Sequence, residues 1–416
     1  IMKIEQLETY LASLEKPHKT FRLSVEFGHI LAQATTLEAL GYEGQNGIKA
    51  LLSYLVDLGW EGVMEGDKLI GARKSDHEWV SLGVGGQINW HYSDFIMIRD
   101  LDQAYLAFIE GLFDELKRRQ SILLATGHQP VTKTSDLETM PMAHAKNVEI
   151  FAKDNTALLD YYKASCFMKV SLNYAHSDNF EKRFQAATII YPALASLFAN
   201  VAWYEGKPVD GLLFNINNLY QGDERLYHVE EALHNTFKYD AYAYFMTHTL
   251  GIDKLEEDGS LTYVGDKELR EVYDEMTEAM VKHSLNNVSP IVGVSEEGIT
   301  INNIDAVPYP LNMAYVLLVK ALLYNPDHMT AIQKMLEQIK EDGLLASRKE
   351  WLQKGIEAKL GEGSVYDMIK DIFFMVTLSI EPAEQHYIQP LNSLVFKNTK
   401  VYDVSARQFE NIVKQK

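Results

Sequence analysis

Between Ser165 and Tyr174 apolar and polar positions alternate. Cys166, Met168, Val170, Leu172 and Tyr174 fall on one side, Phe167, Lys169, Ser171 and Asn173 on the other. Successive side chains of an extended strand point to opposite faces. One face therefore reads as core and the other as polar enough to line a site. The period then changes: Phe180, Phe184, Ala187, Ile190, Ala195 and Phe198 recur at three- to five-residue spacing, which predicts a long helix packed on the sheet through one broad side. Ser177 or Asp178 caps it and Pro192 bends it. Glu205-Gly-Lys-Pro208 reads as a turn, and 211–217 as a returning strand that carries Asn217, Asn218 and Tyr220 at its far end.

The same rules sort the rest of the chain. Met2–Leu14 reads as an amphipathic helix, Phe21–Phe27 as a strand, and Gly47–Leu58 as a helix with Ile48, Leu51, Leu52 and Leu55 inward. A short hairpin follows over Val63–Ala72, then a strand-pair region over Trp79–Trp90, a helix over Asp100–Gln120 and a strand over Ile122–Ala125. Tyr239, Tyr242, Tyr244 and Phe245 form an aromatic run assigned mostly to core. Leu255–Thr262 is an acidic turn into a short strand, Asp266–His283 a charged surface helix, Thr300–Val307 a strand and Leu311–Leu323 an apolar helix. Met329–Ile412 is mostly helical with breaks at Gly343, Gly361 and Pro382. Without a Pro/Ser/Gly-rich linker, low-complexity tract or repeat, the 416 residues read as a single domain, with 329–416 as the helical C-terminal part of the same body. Met2, preceded by Ile1, reads as the natural start.

Composition narrows the functions. A formal charge of −19 argues against a nucleic-acid partner, since such affinity comes mostly from Lys and Arg neutralising phosphates. No apolar run approaches membrane length. With one cysteine an internal disulfide is impossible, and a reducing cytoplasm is the simplest setting, for a monomer or homodimer. Cys166 itself reads as a packed thiol.

Several polar groups carry two readings each. Gly83, Gly85 and Gly86 either let backbone approach a ligand or form a bulged strand, and without a following helix they make a weak phosphate loop. His128 is a ligand or acid, or else a hydrogen-bonded structural residue. His228, Glu231 and His234, at i, i+3 and i+6, are a metal group or plain helix positions; they spread over well over half of a helix circumference, which is not the i, i+4 pair of a zinc helix.

Cys166 in its strand, Ser196-Leu-Phe-Ala-Asn200 and above all Glu205-Gly-Lys-Pro208 resemble the core signature of glutamate–cysteine ligases of the plant and proteobacterial type. Gly47–Leu52 through Gly59-Trp-Glu61 agrees with that family. So do Gly127-His-Gln-Pro130 and Ser81-Leu-Gly-Val-Gly-Gly-Gln87, the latter similar to the family's Ser-Leu-Glu-Pro-Gly-Gly-Gln. The resemblance spans roughly residues 20 to 225 in ordered blocks. It implies an α+β architecture similar to the glutamine-synthetase-like catalytic fold, with a curved, mainly antiparallel sheet forming a cup and helices outside. The implied reaction, the first step of glutathione synthesis, joins the side-chain carboxylate of glutamate to the amine of cysteine using ATP and Mg²⁺.

Carried over residue by residue, the resemblance gives a thinned site. Glu26 matches the first member of a metal-holding Glu-x-Glu, where Gly28 replaces the second; alternatively it is a simple strand-end charge. Gly83 and Asn89 stand where the family has metal-holding Glu, Ile216 where it has a glutamate-binding Arg. Asp305 and Val307 replace the Glu and Arg of Tyr-x-Glu-x-Arg. The expected metal ligands are therefore Glu26 and Asp305. Lys169, a point charge for a carboxylate or phosphate unless it merely reaches solvent, and Arg225, which matches a family Arg unless it belongs to a solvated loop, are the expected catalytic groups. Gln87, Ser171, Asn173, Asn217 and Tyr220 are the expected substrate-binding residues. Each lost metal or phosphate contact costs ~2–4 kcal/mol, a factor of ~100 to ~1,000 in rate. Five together would abolish the ordinary reaction unless other residues replace them. The remaining expectations are a carboxylate–amine ligase acting on another substrate, or a non-catalytic homologue that binds an amino acid or related acid or amine.

Overall fold

A computed structural model describes residues 4–209, 213–233, 236–339 and 347–414. The sequence expectation of an α+β chain with a large antiparallel sheet holds. After α1 (Ile4–Ser13) come β1 (Leu23–Gln33), α2 (Ile48–Asp57), β2 (Glu61–Glu65), β3 (Lys68–Ser75), β4 (Glu78–Leu82), β5 (Ile88–Phe95), α3 (Ile98–Arg118) and β6 (Ser121–Leu124). The middle supplies α4 (Ala143–Ala152), α5 (Thr156–Ala164), β7 (Phe167–Leu172), α6 (Ser177–Leu197), the two-residue strands β8 (Trp203–Tyr204) and β9 (Lys207–Pro208), α7 (Phe214–Leu219) and α8 (Tyr239–His248). Then follow β10 (Leu250–Leu255), β11 (Leu261–Glu268), α9 (Leu269–Val272), α10 (Glu278–Asn286), β12 (Val292–Ser295), β13 (Gly298–Asp305) and α11 (Leu311–Leu323).

Nine strands form the main sheet in the order β12-β13-β7-β1-β5-β4-β3-β2, with β6 paired to the far end of β1. Every pairing in it is antiparallel. Its register decides which side chains meet. Glu26 lies opposite both Lys169 and His91, Ser24 opposite Ser171, Ser171 opposite Thr300, and Trp79 opposite His91. Because the side-chain period is two, this register puts the polar positions of five neighbouring strands on one face. The alternating set, including Val25, Phe27, Trp90, Met168, Val170 and Leu172, is buried. Helices α3, α6 and α11 contact the sheet through β5, β13 and β7. One continuous cluster of buried apolar side chains runs from Leu7 to Phe409.

Several local expectations change. Residues 213–219 do not return as a strand: α7 forms there, with Leu213, Ile216 and Leu219 buried at helical spacing, while 211 and 212 lie outside the described residues. The cap of α6 is His176, whose ring accepts a hydrogen bond from the Asn179 N–H, rather than Ser177 or Asp178. From Ala186 onward α6 is buried on every side, because β13 and other helices surround it. The helix expected over 266–283 divides, since pairing with β10 holds the chain extended as far as Glu268. A new cap at Thr277 then starts α10. The C-terminal part is helical over Pro326–Ile339, Arg348–Lys354, Val365–Thr377 and Val401–Lys414. Gly361, at φ +58°, turns a small strand pair there and Pro382 opens a short 3-10 turn; Gly343 lies outside the described residues. Among the described residues no helix is long and apolar enough to cross a membrane.

Candidate functional site

Over its polar face the sheet carries two adjoining cavities, of about 300 Å³ and about 170 Å³, which share Glu26, Lys169, Asn286 and Ser289 in their walls. The C-terminal end of α10 and the segment after it roof both, while α4 and α5 close the smaller one. At the shared wall the Lys169 Nζ lies 3.7 Å from Glu26 Oε2, and His91 Nε2 lies 4.0 Å from Glu26 Oε1. The pair is partly wet, with the lysine side chain 31% and the glutamate 21% exposed. Burial by itself would raise the Glu26 carboxyl, but the Lys169 ammonium and the His91 ring hold it below the ordinary value. Burial lowers His91, partly opposed by Glu26 and reinforced by Lys169. Its ring is held 2.7 Å from Ser81 Oγ and stacks on Trp79 at 4.8 Å between centroids.

At the other end of the larger cavity stand Glu296 and Glu297. Ser24 Oγ donates to Glu297 at 3.0 Å. Burial raises the Glu297 carboxyl; the Ser24 bond opposes this, and the charge of Glu296 adds to it. Between the two ends lie hydroxyls in contact, with Ser171 Oγ 2.7 Å from Thr300 Oγ1 and Ser295 Oγ 2.9 Å from the same atom. Chemically the larger cavity offers one ammonium, three carboxylates and a floor of hydroxyls. That set suits a small molecule with an amine and a carboxylate.

The smaller cavity gathers positions that the sequence singled out separately: Glu26, Gly83, Gln87, Asn89, Cys166 and Lys169. Gln87 is buried and spends its amide on protein, donating to the Tyr162 and Ser165 carbonyls at 3.1 and 2.8 Å and accepting from the Gly85 N–H at 3.0 Å. The glycines make a tight connection between β4 and β5, not a bulged strand. Gly86 has φ +93°, and a Cβ on Gly85 would overlap the Lys163 carbonyl of α5, so the close approach is to backbone. Cys166 is buried and burial pushes its thiol up, as a packed cysteine requires. His128 is buried too. Its Nδ1 lies 2.8 Å from the Gln129 carbonyl and its ring packs edge-on against Tyr204 and Phe214, so the hydrogen-bonded structural reading fits.

Other expected site residues are not brought to these cavities. Asp305 lines neither cavity: its carboxylate accepts from the Asn200 N–H at 2.8 Å and from Asn215 Nδ2 at 2.9 Å. Burial raises it to about 6 against those two bonds. It follows an irregularity in β13, where Asn303 takes φ +61° and the pairing with β7 shifts between Ile301 and Ile304, so that Ile304 lies opposite Met168 and Asp305 opposite Phe167 at the end of the strand. Arg225 is clamped by Asp223 at 2.8 Å and Glu268 at 3.2 Å beside α8. Asn173 lies past the end of β7, its N–H bonded to the Tyr324 hydroxyl. Asn217 is exposed on α7, and Tyr220 packs on Tyr227 and under Arg348. His234 lies outside the described residues.

Sequence reasoning missed His91, Trp79, Glu296 and Glu297. A signal existed for the first, because Asn89, His91 and Ser93 alternate with Ile88, Trp90 and Tyr92 as a half-polar strand does. The two glutamates sit in the turn between β12 and β13, and only pairing brings that turn over β1.

No protein-family model matches the chain. Over 209 residues, 49% of this chain, it is 27% identical to the chloroplastic glutamate–cysteine ligases of Brassica juncea and Arabidopsis thaliana. It is 23% identical over the same length to the chloroplastic glutamate–cysteine ligase A of Oryza sativa subsp. japonica. The chain spans about two fifths of the length of these curated relatives, 39% of the first two and 41% of the third. Their names overturn the cytoplasmic setting expected from the lone cysteine, because the proteins this chain is similar to are chloroplastic. Cysteine usage separates reducing from oxidising surroundings and says nothing of which reducing compartment is meant. These similarities bear out the resemblance read from the sequence: over about half of its length the chain is similar to plant-type glutamate–cysteine ligases, as a divergent member would be.

Proposed function

We propose that this chain is a glutamate–cysteine-ligase-like protein whose polar cavities bind one amino acid, or a similar small acid with an amine, and that it does not run the ordinary Mg·ATP-dependent ligation. The observation that carries this is the Glu26–Lys169 pair, 3.7 Å apart in the wall common to both cavities. Lys169 is the group for a ligand carboxylate, and Glu26 with Glu296 and Glu297 are the groups for its amine. A cavity of about 300 Å³ stands at the small end of ligand pockets, a fit for an amino acid or a dipeptide.

The residues present do not fit a magnesium triphosphate. A divalent ion at Glu26 would sit against the Lys169 ammonium. A Cβ on Gly28 would come within 2.8 Å of Cys166 Sγ and 2.9 Å of the Phe167 carbonyl, and one on Gly83 would overlap Gln87, so neighbouring atoms fill both places where the resemblance implies a carboxylate. Asp305 is bonded elsewhere, and Ile216 and Val307 are buried in the apolar core. The glutamine-synthetase-like cup and the single 416-residue body are part of the same proposal.

A second reading, a ligase of the same fold that joins a different acid and amine, is favoured by the similarity to named ligases and by the cation at Lys169. Calorimetry with L-glutamate, L-cysteine, γ-glutamylcysteine and Mg·ATP, paired with an ADP-release assay on a panel of acids and amines, separates the two. The expected result is binding of an amino acid or dipeptide, weakened about tenfold or more by Lys169→Met through loss of a charged hydrogen bond, with no ADP above blank. ADP release with one acid–amine pair selects the second reading. Tight Mg·ATP binding with turnover of glutamate and cysteine defeats the proposal.

A further inference from the structure

Beside the smaller cavity, three elements far apart in sequence bring two imidazoles onto one carboxylate. Asp253, on β10, has a fully buried side chain; its Oδ2 lies 2.7 Å from His144 Nδ1 in the first turn of α4, and its Oδ1 lies 2.7 Å from His283 Nε2 on α10. Asn147 Nδ2 and Asn287 Nδ2 donate to the same two oxygens at 3.2 and 3.0 Å. The imidazole rings stand edge to face, 5.9 Å apart. Burial would raise the Asp253 carboxyl, but the bonds from His144 and His283 hold it well below its ordinary value, so the group is a carboxylate.

The backbone is shaped to aim that carboxylate. Ile252 takes φ +60°, an outlier for a β-branched residue. It lies opposite Gly265, itself at φ +66°, and the β10–β11 register shifts on both sides of Ile252. This irregularity sends Asp253 toward α4 and α10.

We propose that His144, Asp253 and His283 hold a divalent transition-metal ion of borderline softness, zinc first, with its open coordination position facing the smaller cavity. Two imidazoles and a carboxylate are ligands of a type that suits zinc, and three protein ligands with one open position is the arrangement of reactive rather than purely structural zinc sites. Tetrahedral bonds of ~2.0–2.2 Å set ligand atoms ~3.3 Å apart. The three side chains here each offer an atom within 4.8 Å of the others, with the two closest pairs at 2.7 Å, so small rotations open the seat. To ligate the ion each imidazole carries its N–H on the ring nitrogen away from the metal and turns the lone pair of the other to it. Asn147 and Asn287 hold the carboxylate in place. His144, with 35% of its side chain exposed, and Asn287 line the about 170 Å³ cavity, which gives the open position room for water or a ligand atom. None of the three ligands belongs to the Glu26–Lys169 wall, although His144 lines the same smaller cavity.

The test uses the full chain stripped with EDTA. Zn²⁺ is titrated by calorimetry at pH 7.5, and Co²⁺ serves as a spectroscopic probe. One equivalent of Zn²⁺ should bind, Co²⁺ should give the visible absorption of a tetrahedral or five-coordinate site, and Mg²⁺ should not compete. Asn287→Ala should weaken binding about 10- to 100-fold through lost orientation, and His283→Gln and Asp253→Asn by at least as much. Far-UV circular dichroism and the metal-free melting temperature check each variant. If Asp253→Asn fails to fold, His144→Ala, at the most exposed ligand, decides. Stripped wild type that takes up no zinc, variants that bind as tightly as wild type, or Mg²⁺ taking the site equally well would each overturn the assignment. Amino-acid binding plays no part in the readout, so the two proposals fail separately.

Discussion

Replacing Lys169 with methionine keeps most of the side-chain volume and removes the charge that faces Glu26. Two unit charges at the observed 3.7 Å attract by ~1 kcal/mol in bulk water and by ~4 kcal/mol at an effective dielectric of 20. With the lysine 31% and the glutamate 21% exposed, the pair lies between surface and buried cases, and Lys169→Met should cost about 2 kcal/mol at pH 7. Equilibrium urea unfolding measures this as a lower midpoint at unchanged slope. Most of the cost should vanish in a Glu26→Gln background, since the double mutant leaves no unpaired carboxylate. The pH dependence has a definite sign. The folded Glu26 carboxyl is held below its unfolded value, so the stability it contributes is present above the unfolded value and lost as pH falls through the folded one. The gap between wild type and Lys169→Met should therefore close in acid. A cost that is equal in both backgrounds, or that persists once Glu26 is protonated, would refute the coupling and with it the charge arrangement of the cleft.

Two further outcomes follow from burial. Asp305 is raised from 3.8 to about 6, so its contribution to stability is present below about pH 4 and lost as pH rises through about 6. The stability of wild type relative to Asp305→Asn, followed by urea unfolding, should fall by about 3 kcal/mol across that window, and a gap that does not change with pH would contradict the dry environment assigned to this carboxyl. Cys166, 1% exposed with its thiol pushed up by burial, should stay unlabelled by a thiol reagent in the native protein and react at once in guanidinium; rapid native labelling would instead mark it as open to the cavity.

The strand from Phe167 to Leu172 was legible from its alternation, including the assignment of Lys169 and Ser171 to a polar face that lines a cavity. Glu26 was legible as a strand residue, and only the register of β1 against β7 faces it the same way as Lys169. The motif around Ser81–Gln87 lies beside the smaller cavity, where its glycines and Gln87 serve a backbone turn against α5. Asp305 and Arg225 were expected at the site through the resemblance alone; the partners that hold them away from the cavities, Asn200 and Asn215 for the first and Glu268 for the second, include groups distant in sequence. The expected strand at 211–217 failed in its described part because a short apolar run fits both periods, and only its neighbours choose between them.

The sequence by itself determined the α+β class, most helices and strands, the two faces of the central strand and the resemblance to plant-type ligases, because hydrophobic period and local motif are properties of neighbouring residues. Tertiary structure alone decided that Glu26 would pair with Lys169, that Glu296 and Glu297 would close the other end of the cavity, and that His144, Asp253 and His283 would converge. Those meetings depend on strand register and, for Asp253, on the irregularity at Ile252. A slip of one residue of β7 against β1 would have turned Lys169 away from Glu26, because the side-chain period is two.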